Sequence, residues 1–195
     1  MDYNNILRSE KHKKDSLVTY AVSLHFPQEV NEIVTSTVKS ISEIMGNSFI
    51  IENKIPPHIT IGAFHASKQN EKKLLWLVEE FSKTQKAGLV QFKGIGNFNG
   101  KVLFLQPEKN GFLAKINAEL HSLLLPEFEK AENGYYLPEI WFPHTTLATR
   151  LNQSQLEKAI KIAERIPLPF ESKISEIAVY MCSPFEELKC FCLNF

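Results

Sequence analysis

Two stretches of the sequence carry nearly the same pattern, PPHITIGAF at 56–64 and FPHTTLATR at 142–150. In each, a proline precedes a histidine, and a threonine follows two positions later. An aliphatic residue and a small residue come next. The recurrence of this pattern far along the chain predicts that two parts of the fold are built alike.

The four polar residues of the pattern share a geometric relation. Side chains at positions i and i+2 of a β-strand point to the same face. His58 therefore projects with Thr60, and His144 projects with Thr146, while the aliphatic neighbours point the other way. Each stretch is thus predicted to be a strand that presents an imidazole beside a hydroxyl group.

Two such strands facing each other across a cleft suit displacement at phosphorus. Histidine titrates nearest neutral pH, so His58 and His144 can supply an acid and a base, each worth roughly 10²–10⁴ in rate. The hydroxyls of Thr60 and Thr146 would donate hydrogen bonds to phosphate oxygens as charge builds up. A zinc site on these two histidines would need a third protein ligand, at which the pattern does not hint, so we expect no metal and no cofactor.

The order of the elements favours an α+β fold. Apolar periodicity predicts strand, helix, strand, helix, strand, strand, helix, strand, helix, strand, strand. Strands that can join as hairpins favour antiparallel or mixed sheets over a doubly wound parallel sheet. We expect a polar tail at 1–16 and, over 17–195, a single bilobal domain. Its two pseudo-duplicated antiparallel-sheet lobes would carry helices outside and enclose a central cleft.

Composition limits the partners. Twenty-two basic residues offset twenty-two acidic ones, so there is no large positive field to hold long nucleic acid. An RNA end or a small nucleotide is therefore a better candidate substrate, and we expect no DNA partner. The charged start of the chain and the lack of a long apolar run lead us to expect a cytoplasmic monomer without membrane contact.

Three cysteines cluster near the C-terminus, at Cys182, Cys190 and Cys192. An odd number without paired Cys-x-x-Cys spacing fits neither a disulfide framework nor a zinc knuckle. Because their neighbours are apolar, we expect ordinary buried thiols.

The doubled motif resembles the 2H phosphoesterase superfamily, whose mark is two His-x-Thr/Ser motifs. The likeness is greatest to its 2′-5′ RNA ligase and RNA 2′,3′-cyclic phosphodiesterase branch. YAVSLHFPQEV at 20–30 is similar to the opening strand of that family, and FKGIGNFNGKVLFLQP at 92–107 resembles its glycine-phenylalanine turn and following strand. The resemblance covers most of 17–150.

The resemblance implies a function and a role for each motif residue. The activity would be metal-independent cleavage or ligation of 2′-linked phosphodiesters, commonly the opening of a 2′,3′-cyclic phosphate at an RNA end or on a small cyclic nucleotide to a 2′-phosphate. His58 and His144 take the acid and base positions, in an order that stays open, and Thr60 and Thr146 take the phosphate-binding positions. The alternative is a non-catalytic module that holds nucleotides or RNA ends in the same cleft.

One position departs from the family. Its members often carry an arginine five residues after the second histidine, whereas here Thr149 occupies that position and the arginine is Arg150. In an unbulged strand Arg150 would share the face of His144 and could contact phosphate. The other possibility is a position in a turn, facing solvent.

Two residues on the first two strands are further candidate substrate contacts. Strand alternation puts Phe64 on the face of His58, where it could stack on a base or pack in the core. His25 lies in a row of small and polar residues that would suit a cleft wall. The same alternation puts His65 on the opposite face, away from His58.

Overall fold

The fold is described by a computed structural model over residues 17–46 and 49–194. The tail predicted at 1–16 lies outside the described residues. The helices are α1 Gln28–Met45, α2 Phe49–Glu52, α3 Glu71–Thr84, α4 Gly111–Leu124 and α5 Gln153–Ala163. The strands are β1 Leu17–His25, β2 His58–Ser67, β3 Gly88–Phe98, β4 Val102–Pro107, β5 Glu129–Lys130, β6 Thr145–Ala148, β7 Phe170–Ile174, β8 Glu176–Cys182 and β9 Phe185–Cys192.

The strands form two antiparallel sheets. The first sheet has the order β5-β2-β1-β8-β9 and the second has the order β6-β4-β3-β7. The first motif lies on β2, inside the five-stranded sheet. The second motif leads into β6, an edge strand of the four-stranded sheet, and His144 lies one residue before that strand and not on it as predicted. The predicted α+β architecture with two antiparallel-sheet lobes is confirmed.

Each sheet is covered by two helices. The helices α3 and α4 pack on the five-stranded sheet, and α4 also contacts β3 of the four-stranded sheet. The helices α1 and α5 pack together on the four-stranded sheet. The packing follows from apolar residues at helical spacing, as on α1, where Val30, Val34, Val38 and Ile41 are buried. Gly46 ends α1 in a left-handed conformation, with φ at 60°. None of the described helices is long and apolar enough to cross a membrane.

Two segments differ from the apolar pattern. The pattern predicts a strand from 48 into the first motif, whereas Phe49–Glu52 forms the short helix α2, whose Ile50 and Ile51 pack against the core. Packing here overrides the strand propensity of the isoleucines. The pattern also predicts one strand over 173–182, but β7 and β8 lie in different sheets and only Ser175 separates them.

Candidate functional site

The first motif is positioned by the pairing of β2 with β1. His58 lies opposite His25, and Thr60 lies opposite Ser23. The hydroxyl groups of Thr60 and Ser23 are 3.2 Å apart and buried. The Nδ1 atom of His58 is 2.7 Å from the carbonyl oxygen of Pro56. His58 and Thr60 therefore share one face of the sheet, as the i, i+2 spacing predicts.

The second motif is positioned by the chain that leads into β6. The Nδ1 atom of His144 is 2.9 Å from the carbonyl oxygen of Phe142. The His144 ring meets the ring of Phe98 edge-on, with the centroids 4.9 Å apart, and lies 5.5 Å from that of Phe104. These aromatic contacts fix the plane of the imidazole.

Both imidazoles are held in the same tautomer. In each motif the Nδ1 atom faces the carbonyl two residues upstream, across Pro57 in one case and Pro143 in the other. A carbonyl oxygen can only accept, so Nδ1 of His58 and of His144 carries the hydrogen. In the neutral ring the lone pair is then on Nε2, which leaves this atom free to exchange a proton in each case.

Several contacts bring the two motifs together. The strands β2 and β6 adjoin, with Cα atoms within 8 Å of each other. The indole Nε1 of Trp141 donates to the carbonyl oxygen of Thr60 over 3.1 Å, which ties the segment before His144 to the first motif. A cavity of about 140 Å³ is lined by residues of both motifs, His58 of the first and Thr146 of the second.

The surroundings disfavour a charge on either motif histidine. The pKa of His58 is lowered to about 4, chiefly by burial. The hydrogen bond to the Pro56 carbonyl opposes this effect, and positive charge on His25 or His144 adds to it. Burial also lowers the pKa of His144, with the Phe142 carbonyl opposing. Both rings are therefore mainly neutral at pH 7 before a substrate binds.

A bulge in β2 overturns the predicted position of Phe64. The pairing runs from Thr60 opposite Ser23 to Gly62 opposite Val22, so Ile61 is an extra residue. Alternation is reset beyond this point. Phe64 is consequently completely buried, packed against the ring of His121, and a base cannot stack on it.

The same bulge corrects the position of His65. This residue lies opposite Thr19, on the face that His25 and His58 share. Its Nδ1 atom is 3.2 Å from the hydroxyl of Thr19. The prediction that His65 faces away from His58 is therefore wrong.

A second bulge decides the environment of Arg150. In the pairing of β6 with β4, Leu147 is an extra residue without a partner on β4, and β6 ends at Ala148. Arg150 lies in a bend with φ at 58° and is exposed. Its guanidinium carbon is 4.1 Å from the ring centroid of Phe49. The premise of an unbulged strand is wrong, and the arginine sits in a turn, stacked on an aromatic ring that lines the cavity.

His25 lies on the same sheet face as His58, as the row of small and polar residues on β1 predicts. It contacts residues that the sequence did not single out. The hydroxyl of Tyr180 contacts Nε2 of His25 and donates to Glu187 over 2.8 Å. The Tyr180 ring is also near His58, with the centroids 6.1 Å apart. Burial lowers the pKa of His25, and nearby Glu187 and Glu176 oppose this effect.

The three cysteines are free and exposed, so the expectation of buried thiols is wrong. All three belong to the hairpin of β8 and β9, and β9 is an edge strand. Their apolar neighbours in sequence point into the core on the opposite face. Desolvation and the carboxylates of Glu176 and Glu187 raise the pKa of Cys190 to about 12.

Comparison with known proteins agrees with this architecture. LigT from E. coli in complex with 3′-AMP superposes with a TM-score of 0.60 at 14% identity, over 92% of this chain and 100% of that chain. TT0787 of Thermus thermophilus gives a TM-score of 0.59 at 19% identity, over 90% of this chain and 98% of that one. A crystal structure described as a phosphoesterase gives 0.59 at 16% identity, over 92% and 100%.

At these identities the superpositions establish the fold. No curated protein matched the sequence. A family model, described as the 2′-5′ RNA ligase superfamily, matches residues 36–181 and so spans both motifs. The resemblance drawn from the two motifs is confirmed, and the chain belongs to the 2′-5′ RNA ligase superfamily of phosphoesterases.

Proposed function

We propose that the protein is a metal-independent phosphodiesterase that opens 2′,3′-cyclic phosphates, at RNA ends or on small nucleotides, to 2′-phosphates. His58 and His144 are the acid and base of this reaction. The observation that carries the proposal is the matched tautomer of the two rings. Each Nδ1 hydrogen is committed to a carbonyl, while no residue of 17–46 or 49–194 forms a hydrogen bond with either Nε2. Thr60 and Thr146 bind the phosphate.

The surroundings of the two rings favour one order of roles. His58 is the base, because burial and two neighbouring imidazoles keep it neutral well below pH 7. Its Nε2 lone pair accepts a proton from water as the water oxygen attacks phosphorus. His144 is the acid. Burial alone lowers the pKa of His144, whereas neighbouring imidazoles add to the effect of burial at His58. The negative charge of a bound phosphate opposes the effect of burial at His144 and favours the protonated ring.

The bond changes follow from these roles. The bond from phosphorus to water oxygen forms, and the bond from phosphorus to the 3′-oxygen of the ribose breaks. The water proton goes to His58, and the His144 proton goes to the departing 3′-oxygen. The products are a 2′-phosphate and a free 3′-hydroxyl. If a ribose 5′-hydroxyl replaces water as nucleophile, the same groups catalyse formation of a 2′-5′ linkage.

The kind of substrate is supported by a protein of the same fold. LigT from E. coli has been crystallised with 3′-AMP, with phosphate and with ATP. The balanced charge of this chain, with 22 basic and 22 acidic residues, favours such small ligands or an RNA end over a long polyanion.

Hydrolysis of a substrate panel tests the proposal. Phosphorus NMR is used to follow 2′,3′-cyclic AMP, an RNA oligonucleotide with a cyclic phosphate end and a 2′-5′-linked oligonucleotide, with and without EDTA. We expect a 2′-phosphate product in the presence of chelator. Replacement of His58 or His144 by alanine should lower kcat/KM at least about a hundredfold.

His65→Ala is the matched control, because this histidine lies on the same sheet face but bonds Thr19. Its kcat/KM should stay close to that of the wild type. Turnover that survives the double replacement of His58 and His144 would exclude the proposed roles. A cyclic phosphate resonance that shifts on binding without any product would instead identify a binding module.

A further inference from the structure

Three different donor side chains converge on the five-stranded sheet outside the two motifs. They are His25 on β1, Glu176 on β8 and Cys190 on β9, whose nitrogen, oxygen and sulfur atoms all lie within 4.8 Å of one another. The Nδ1 atom of His25 is 3.8 Å from Sγ of Cys190. That sulfur is 3.9 Å from Oε2 of Glu176.

The sheet itself fixes this arrangement. The three donors come from consecutive strands, and His25 pairs directly with Glu176 across β1 and β8. Cys190 pairs with Ala178, one step along the same face from Glu176. Backbone hydrogen bonds therefore hold the donors at their spacing without any help from a loop.

The hydrogen bonds around His25 determine which ring nitrogen has the lone pair. The hydroxyl of Tyr180 has one hydrogen, which it donates to Glu187 over 2.8 Å. Its contact with Nε2 of His25 is therefore one in which the ring donates. Nδ1 of His25 is left without a hydrogen in the neutral ring, and it faces Cys190.

This outer chain of contacts is typical of histidines that bind metals. A metal-bound imidazole usually donates its other N–H to a carboxylate or to another acceptor, which fixes the orientation of the ring. Here the hydroxyl of Tyr180 accepts a hydrogen bond from Nε2 of His25 and donates one to the carboxylate of Glu187. The support expected behind a metal ligand is thus present on the side of His25 that faces away from Cys190.

We propose that His25, Glu176 and Cys190 form a binding site for a divalent transition-metal ion of the zinc class. A thiolate and an imidazole select such ions over magnesium and calcium, which prefer oxygen ligands. Zinc bonds of about 2.0 Å to nitrogen and about 2.3 Å to sulfur put neighbouring tetrahedral ligands about 3.3–3.6 Å apart. The two contacts of the sulfur, at 3.8 and 3.9 Å, need shifts of only a few tenths of an ångström. The nitrogen of His25 and the oxygen of Glu176 lie within 4.8 Å of each other, so they must approach by up to about 1.5 Å.

Binding changes the protonation of one ligand. The thiol of Cys190 releases its proton to solvent, and the resulting thiolate binds the ion together with the neutral Nδ1 of His25 and the ionised carboxylate of Glu176. Because Cys190 is exposed, water completes the fourth position. The site uses neither motif histidine, so it does not depend on the proposed reaction.

Cobalt(II) is a suitable probe, because a thiolate ligand gives it a charge-transfer absorption band in the near ultraviolet. The reduced full-length protein is titrated with Co²⁺, and Zn²⁺ or Mg²⁺ is then added as competitor. We expect one ion per chain, a thiolate band, displacement by Zn²⁺ and none by Mg²⁺. Cys190→Ser should abolish the band, and Glu176→Gln should weaken Co²⁺ binding at least about tenfold.

Cys182→Ser is the matched control, since this exposed thiol lies on the same hairpin but outside the three-donor cluster, and it should keep the band. The proposal is overturned if Co²⁺ does not bind at micromolar concentration, if the band persists in Cys190→Ser, or if Cys182→Ser removes it. Loss of the band in His58→Ala would also overturn it, because the ion would then be on a motif histidine. All of these readouts are independent of turnover.

Discussion

At the scale of single residues, the histidines are distinguished by what holds each ring. His58 and His144 each donate Nδ1–H to the carbonyl two residues upstream. His121 also bonds a carbonyl through Nδ1, but it is 3% exposed and packed in the core. His65 bonds a threonine hydroxyl at the far end of its strand. Among the histidines that the structure describes, the motif pair alone combines a committed Nδ1 with a position where the two sheets meet.

The lowered pKa of His58 has a consequence for stability. An unfolded histidine titrates near 6.5, whereas the folded protein holds the pKa of His58 at about 4. Between these values the unfolded chain binds a proton that the folded chain does not, so the free energy of unfolding falls as the pH drops from about 6.5 to about 4. The shift corresponds to a loss of up to roughly 3 kcal/mol.

Urea denaturation of His58→Asn at a series of pH values between 4 and 8 measures this contribution. Asparagine cannot take up the proton, and its amide nitrogen stands where Nδ1 stood, so the bond to Pro56 is kept. We expect the variant to lose less stability than the wild type between pH 6.5 and 4. His25, His121 and His144 also have lowered pKa values, and they leave a residual slope in both proteins. Parallel curves for the two proteins would contradict the assignment.

At the scale of elements, the bulge in β2 marks the limit of what alternation predicts. His58 and Thr60 could be placed from the sequence because positions i and i+2 are close neighbours within one strand, β2. Phe64 and His65 could not, because the extra residue Ile61 comes between them and the motif. The carbonyl oxygen of Ile61 accepts a hydrogen bond from the buried side-chain amide of Asn117 on α4. That partner is distant in sequence, so no local pattern reveals it.

Gly62 is required beside this bulge. A Cβ at Gly62 would lie 2.7 Å from Cε2 of Phe64 and 3.0 Å from Cδ2 of Leu120. Both side chains are fully buried and have little room to move, so we expect Gly62→Ala to lower the free energy of unfolding by about 1–3 kcal/mol. Urea denaturation at pH 7 measures the change.

Gly94→Ala is the control for this substitution. Gly94 also lies in a strand next to a bulge, in β3, but a Cβ there meets no atom of the described residues within 4 Å. We expect the control to change stability by less than about 0.5 kcal/mol. Equal effects of the two alanines would show that close packing at Gly62 is not the reason for the glycine.

At the scale of the whole molecule, the site depends on contacts between sheets. The fold class and the two motif strands could be predicted because apolar periodicity and the repeat are visible along the chain. The neighbours of His25 could not, because β8 and β9 reach β1 only after the chain crosses from one sheet to the other at Ser175. Cys190, for example, could not be predicted as a neighbour of His25, because only the order of the strands in the sheet puts the two side chains together.

Trp141 is a link between the two motifs that can be tested. It is 3% exposed, and its indole N–H donates to the carbonyl oxygen of Thr60 across the junction of the sheets. Phenylalanine keeps most of the packing but leaves that buried oxygen without this donor, at a cost of about 1–3 kcal/mol. Because the bond sets the spacing of the motifs, we expect Trp141→Phe to lower kcat on a cyclic phosphate more than it changes KM.

Trp76→Phe is the matched control, since Trp76 lies on α3 and is 56% exposed. Both variants are compared by urea denaturation and by steady-state kinetics on the substrate that the panel identifies. The control should resemble the wild type in stability and in kcat. If Trp141→Phe behaves like this control, the indole bond does not hold the motifs together, and their spacing must come from the packing of β6 against β2 alone.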